Sequence, residues 1–252
     1  MRFASLGSGS KGNATLVQAG ATLVMVDCGF SLREVERRLE RLALAPADLH
    51  AILVTHEHSD HCSGVARLSA RYHIPVYLTH GTASSGRCAG ASELRCVNSE
   101  AMFQVGDLKI HAVRVPHDAA EPCQFRFEWG GRHLGILTDL GCVTPHVVER
   151  YSGCDSLVLE FNHDREMLES GPYPPSLKRR VGGDWGHLNN QQALALLQQL
   201  GDRVLNNLVV AHISEKNNAR VLVEAALEEV GVADRAAVTW ACQAKGFGWL
   251  EV

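Results

Sequence analysis

Apolar and polar positions alternate in short blocks along this chain, and the period of the blocks changes. Residues 2–6, 15–18 and 22–27 are apolar, strand-like runs separated by turn-forming stretches at 7–13 and at Ala19-Gly20, the pattern of a β-meander. The period then lengthens. Ser31-Leu32-Arg33-Glu34 has the S-x-x-E form of a capping box and opens a helix to about Leu44. A strand over 51–55, a helix over 64–72, a strand over 75–79 and a helix near 81–90 follow. Residues 102–105 and 108–115 then flank Gly106-Asp107, and 124–129 and 133–138 flank Gly130-Gly131, as two hairpins. A helix from Pro145, a strand over 156–160, a helix over 189–200, a strand over 208–210, a helix over 219–230 and a strand over 236–240 complete the pattern. Two β-rich halves, each ending in αβ units, predict an α/β (α+β) protein folded as a four-layer αββα sandwich. No linker-like break in composition divides residues 1–252, so one domain is expected.

Composition narrows the class. The 252 residues are 46% hydrophobic and 21% charged, which suits a globular protein. No charged N-terminal segment leads into an apolar core, and no stretch approaches about 20 apolar residues, so the expectation is a cytoplasmic protein with no membrane partner. The eight cysteines form no C-x-x-C pair and read as buried or free thiols. A net charge of −4 argues against coating nucleic acid through a basic surface, yet leaves room for an enzyme that grips one phosphate at a time. Lys178-Arg179-Arg180 lies in a stretch that reads as irregular, 171–186, with Pro172, Pro174 and Pro175. It is either a solvated loop or the wall of a nucleic-acid groove. The long loop over 163–184 is also a candidate contact in a homo-oligomer.

The chemistry concentrates in Thr55-His56-Glu57-His58-Ser59-Asp60-His61, which holds three of the thirteen histidines. The preceding strand delivers this run at its C-terminal end. Side chains two apart share a face there, so His56 and His58 converge on one ion, while Asp60 and His61 turn toward a second position. Imidazole and carboxylate are ligands for zinc, manganese or iron. Four more polar residues abut apolar strands: Asp27 after Leu23-Val24-Met25-Val26, His117 after Val113-Arg114-Val115-Pro116, Asp139 after Leu134-Gly135-Ile136-Leu137-Thr138, and His212 after Leu208-Val209-Val210-Ala211.

In this order, the run and its complements resemble the metallo-β-lactamase fold superfamily over nearly the whole chain. The resemblance implies His56, His58 and His117 on one divalent metal, Asp60, His61 and His212 on a second, and Asp139 bridging both. Asp27 would orient the metal-binding loop from behind. Two such ions, zinc or manganese with iron also open, lower the pKa of a bridging water from 15.7 to about 7, which implies hydrolysis.

Three segments bear on the substrate. Gly7-Ser8-Gly9-Ser10-Lys11-Gly12-Asn13 is a glycine-rich turn in which Ser8, Ser10, Lys11 and Asn13 could meet an anion. It lacks the G-x-x-x-x-G-K-S/T pattern, and a plain hairpin turn is its other reading. His187, just before a capped helix, resembles the extra histidine that phosphodiesterases such as tRNase Z place beside the metals. Glu160, ending a strand, could orient it, which makes Asp60, His187 and Glu160 the candidate catalytic set. Asn162 or Asp164 could instead be a helix cap.

With Pro116-His117-Asp118-Ala119-Ala120-Glu121-Pro122 and the segment from Ala211 to Asn217-Asn218, these features resemble the YycJ/WalJ-type branch of the superfamily. That resemblance implies a metal-dependent 5′-to-3′ DNA exonuclease, associated in some members with DNA repair, with Asn217 and Asn218 at the substrate. No β-CASP-type insertion fits between Asp139 and His212, and no exosite arm of the tRNase Z kind is evident. The competing reading is a hydrolase of small thioester, lactone or cyclic phosphodiester substrates, which the acidic net charge favours.

Overall fold

The computed structural model describes residues 1–201, 205–229, 231 and 236–252. Its strands form two seven-stranded sheets. The first runs β14 (Phe247–Glu251), β1 (Arg2–Gly7), β2 (Ala14–Ala19), β3 (Thr22–Val26), β4 (Ala51–Leu53), β5 (Val76–Thr79), β6 (Leu94–Val97). The second runs β13 (Ala236–Trp240), β12 (Leu205–Ala211), β11 (Ser156–Glu160), β10 (Arg132–Leu137), β9 (Cys123–Trp129), β8 (Leu108–Arg114), β7 (Met102–Val105). An antiparallel meander in each sheet gives way to parallel strands, β3 to β6 in one and β10 to β13 in the other. Their carboxyl ends therefore share an edge within each sheet, the usual place for a ligand site in a parallel sheet.

Period-2 side-chain alternation makes the layers. Val24 and Val26 of β3 join Phe125, Phe127, Ile136 and Val158 in the core between the sheets. Leu23 and Met25 point the other way, to Val35 and Leu39 of α1 (Leu32–Glu40) and to Val65 and Leu68 of α3 (Val65–Tyr72). In the second sheet Leu157 and Leu159 face outward to Val147 and Tyr151 of α5 (Pro145–Tyr151) and to Leu194 and Leu196 of α8 (Asn190–Gln199). α9 (Arg220–Glu229) adds Val223 and Leu227 to this third core. Each such side chain, fully buried, contributes about 1.5–3 kcal/mol relative to exposure. The expected αββα sandwich is the architecture observed.

Several boundaries differ from expectation. The helix opened by Ser31 stops at Glu40, and the chain turns through Ala43 in the left-handed region (φ 57°). Ser31 makes no side-chain cap bond; Glu34 is drawn instead to Arg37 and Arg38. The helix expected near 81–90 is only α4 (His80–Ser84), and the histidine run contains a one-turn helix, α2 (Ser59–Cys62). The stretch expected to be irregular holds two short helices, α6 (Arg165–Ser170) and α7 (Pro175–Val181). Asp164 caps α6, its Oδ1 accepting from Met167 N at 2.9 Å, and Pro175 suits the first turn of α7, where its missing N–H costs nothing. The expected end of the 219–230 helix, Val230, lies outside the described residues. Among the described residues no helix is long and apolar enough to cross a membrane.

Candidate metal centre and its cleft

Three of the strand-end residues sit in the left-handed backbone region: Asp27 (φ 60°), Asp139 (φ 56°) and His212 (φ 51°). For residues with a Cβ this costs on the order of 1–3 kcal/mol each, and such strain collects at functional sites because it re-aims a side chain the strand would otherwise direct elsewhere. The turn before β2 and the loop after β3 both close tightly on the histidine run. Asn13 N in the first donates to Asp60 O at 2.8 Å and Cys28 N in the second to His61 O at 2.7 Å. Gly29 permits this approach, since a Cβ there would lie 1.7 Å from Asp60 O.

Hydrogen bonds behind the imidazoles fix which nitrogen faces the centre. Thr55 Oγ1 donates to Asp27, 2.9 Å from Oδ2, and so accepts from His56 Nδ1 at 2.9 Å. His61 Nδ1 donates to Asp27 Oδ2 at 2.8 Å, and His117 Nδ1 donates to Gly186 O at 2.9 Å. The Nε2 lone pairs of His56 and His117 are therefore turned to the centre. His58 Nδ1 meets His56 Nε2 at 3.0 Å and His117 Nε2 at 3.3 Å. Three imidazole nitrogens converging this closely, two of them with lone pairs turned to the centre, are a donor set that fits a divalent cation. Burial, with the positive His61 nearby, holds His56 well below the usual imidazole range, and burial also lowers His117, which keeps both neutral.

A second cluster adjoins the first. His61 Nε2 lies 3.4 Å from Asp60 Oδ2 and 3.3 Å from Asp139 Oδ2, and His212 Nδ1 lies 3.1 Å from Asp139 Oδ2. Asp139 Oδ1 points the other way, 4.0 Å from His117 Nε2, so this carboxylate spans both clusters. Burial opposes its charge, but the His212 and His61 rings hold it well below the usual carboxylate range. Burial likewise opposes charge on His61, and Asp139 with Asp27 outweighs it. The seven residues proposed as ligands, His56, His58, Asp60, His61, His117, Asp139 and His212, all fall in groups whose donor atoms lie within 4.8 Å of one another. His187 joins Asp139 and His212 in a further such group.

Glu160, fully buried at the end of β11, accepts from Leu140 N at 2.6 Å and Leu188 N at 3.2 Å through Oε1. Its Oε2 accepts from His187 Nδ1 at 3.1 Å, which leaves His187 Nε2 free. Burial lowers His187, but the bond to Glu160 and the charges of Glu160, Asp139 and Asp60 raise it to about 9. Asn162 supports the same region from below, donating to His212 O at 3.1 Å.

The glycine-rich turn divides. Ser10 lines the cleft, whereas Ser8 Oγ accepts from His212 N at 3.0 Å and Asn13 Nδ2 lies 3.1 Å from His61 Nε2, both beneath the ligands. Lys11 is turned away from the cleft and pairs with Glu215 at 2.6 Å. Asn217 and Asn218 are buried, and neither lines the cleft. Asn218 donates to Phe161 O at 2.8 Å and to Asn190 Oδ1 at 2.8 Å, and so ties the His212 loop to α8. Cys62 is directed to Glu57 O at 3.2 Å.

A cavity of about 440 Å³ opens above the centre. The first half supplies Ser10, Glu57, His58, Asp60 and Arg87, and the second Asp118, Asp139, Tyr173, Arg180, His187 and His212. Sequence reasoning did not assign Thr55, Asp118, Arg87 or Tyr173 a role. Thr55 had a signal, a hydroxyl at the strand end directly before the histidines, and Asp118 stood beside His117 in the 116–122 segment; Arg87 and Tyr173 had none.

Residues 22–213 match the family described as β-lactamase superfamily domain, and the chain belongs to that family, with the metallo-β-lactamase fold. It is a metallohydrolase of that fold, related to exodeoxyribonucleases. Exodeoxyribonuclease YycJ of Bacillus anthracis is 37% identical over 246 residues, covering 92% of this chain and 90% of its own. Exodeoxyribonuclease WalJ of Streptococcus pneumoniae is 33% identical over 228 residues, covering 88% and 84%. The metallo-β-lactamase fold protein YhfI of Bacillus subtilis shares the fold with a TM-score of 0.77 at 15% identity, over 99% of each chain.

Proposed function

We propose that this protein is a two-metal phosphodiesterase that degrades DNA from the 5′ end. The observation that carries this reading is His187: an imidazole fixed through Nδ1 by Glu160 at 3.1 Å, with its ring centroid 5.3 Å from that of His117 and 5.2 Å from that of His212, and with carboxylates around it that favour its protonated form. Nε2 then holds a proton beside the ligand cluster, where an alkoxide leaving from phosphorus needs one. A positioned general acid of this kind contributes about 10²–10⁴-fold. The relatives named exodeoxyribonuclease support the same substrate.

His56, His58 and His117 would hold one ion, Asp60, His61 and His212 a second, with Asp139 shared. When bound, the ions supply Lewis acidity and an activated water. Asp27 and Thr55 orient the imidazoles from behind, and Glu160 sets the tautomer of His187 and sustains its charge. The test is release of mononucleotides from a 5′-phosphorylated oligonucleotide in the presence of manganese or zinc. No release with either metal, together with turnover of a thioester or lactone, overturns the reading.

A further inference from the structure

Arg87 and Arg180 are the only Lys or Arg side chains lining the cleft among the described residues. Arg180, in the last turn of α7, donates through Nε to Asp118 Oδ2. Asp118 Oδ1 in turn lies 3.5 Å from His117 Nε2 and 3.7 Å from His58 Nε2. The guanidinium thus stands one carboxylate away from the two imidazoles, on the cleft wall beside the proposed ligands rather than among them. Its side chain is 58% exposed, and exposed ion pairs are held weakly. Guanidinium forks suit phosphate oxygens better than a single point charge does.

The backbone holds Arg180 in this place. His187 N donates to Val181 O at 2.9 Å, and Gly186, whose O accepts from His117, packs so closely that a Cβ there would lie 2.2 Å from Arg180 O. The turn that carries His187 and braces His117 is therefore packed directly on the residue that presents the guanidinium.

We propose that Arg180 is a substrate-positioning residue that binds the phosphate next to the scissile one, taking it in exchange for Asp118. The proposal rests on the phosphodiesterase reading. It is tested with the metal-loaded protein on a short 5′-phosphorylated oligonucleotide, all-phosphate or with single uncharged methylphosphonate linkages placed one at a time. Arg180→Ala is expected to raise KM about tenfold or more while kcat stays within about threefold, with Arg180→Lys intermediate. A neutral linkage beside the scissile bond is expected to cost the wild type about tenfold in kcat/KM and to cost Arg180→Ala little. Unchanged circular dichroism and metal content in Arg180→Ala exclude a folding defect. Equal losses for both proteins at every linkage, or a fall in kcat together with metal content, overturn the role of Arg180 alone. If the wild type leaves the all-phosphate strand intact, the phosphodiesterase reading falls and this proposal falls with it.

Discussion

The floor and the wall of the cleft are built on opposite terms. On the floor, Asp27, His56, His61, His117, Asp139 and His212 are all 3% exposed or less, and each is oriented by a named partner. On the wall, α6 and α7 are short, Arg180 is 58% exposed, and Trp185 on the following turn is 64% exposed. A buried, fully partnered cluster fixes one chemistry, because any deletion strands another polar group out of water. An exposed wall decides what enters, and its residues can change without disturbing the ligands. The turn at Gly186 is where the two meet, since it carries His187 and braces both His117 and Arg180.

Substitutions should separate the two regions. Asp139→Ala removes the carboxylate that spans both clusters. Elemental analysis should show lost metal, and hydrolysis should fall by about a thousandfold or more, as expected when several kcal/mol of charge stabilisation is lost. His187→Ala should lower kcat by about 10²–10⁴-fold while the metal content stays at the wild-type level. Loss of metal in that variant would move His187 from proton donor to ligand. Asp27→Asn should weaken metal affinity by about 10–100-fold, read by competition with a chelator, because His61 loses the acceptor that fixes its tautomer.

The smallest effect is on stability. His163, at the root of the wall between β11 and α6, is pushed by burial from 6.5 to about 4. The folded protein therefore keeps this ring neutral while the unfolded chain binds a proton between those values. Stability from this group is complete above about pH 6.5 and declines as pH falls toward about 4, by up to about 3 kcal/mol. Denaturant titrations from pH 7 to 4.5 should show a shallower decline for His163→Phe than for the wild type; parallel slopes would remove His163 from the acid response.

The floor was legible in the sequence because most of its residues close an apolar run, with His61 in the histidine-rich stretch that follows one. Leu23-Val24-Met25-Val26 ends at Asp27 and Leu208-Val209-Val210-Ala211 at His212, so each strand and the polar residue it delivers to the cluster are read together. The wall was not. Gly171, Pro172, Pro174 and Pro175 punctuate it as a loop, and its helices span only Arg165–Ser170 and Pro175–Val181, too short for a period of 3.6 to show. The strand Phe247–Glu251 was also missed, since it is defined by pairing with Arg2–Gly7 at the far end of the chain. The glycine-rich turn was found, but its side chains could not be sorted. Lys11 goes to Glu215 and Asn13 to His61, a division set by tertiary contacts.

The most direct measurement pairs metal stoichiometry with product analysis on one preparation. The expected result is two divalent ions per chain, and mononucleotides released stepwise from a 5′-phosphorylated DNA strand only while both ions are bound. A protein that carries both ions, leaves the strand intact and hydrolyses a thioester or lactone instead contradicts it.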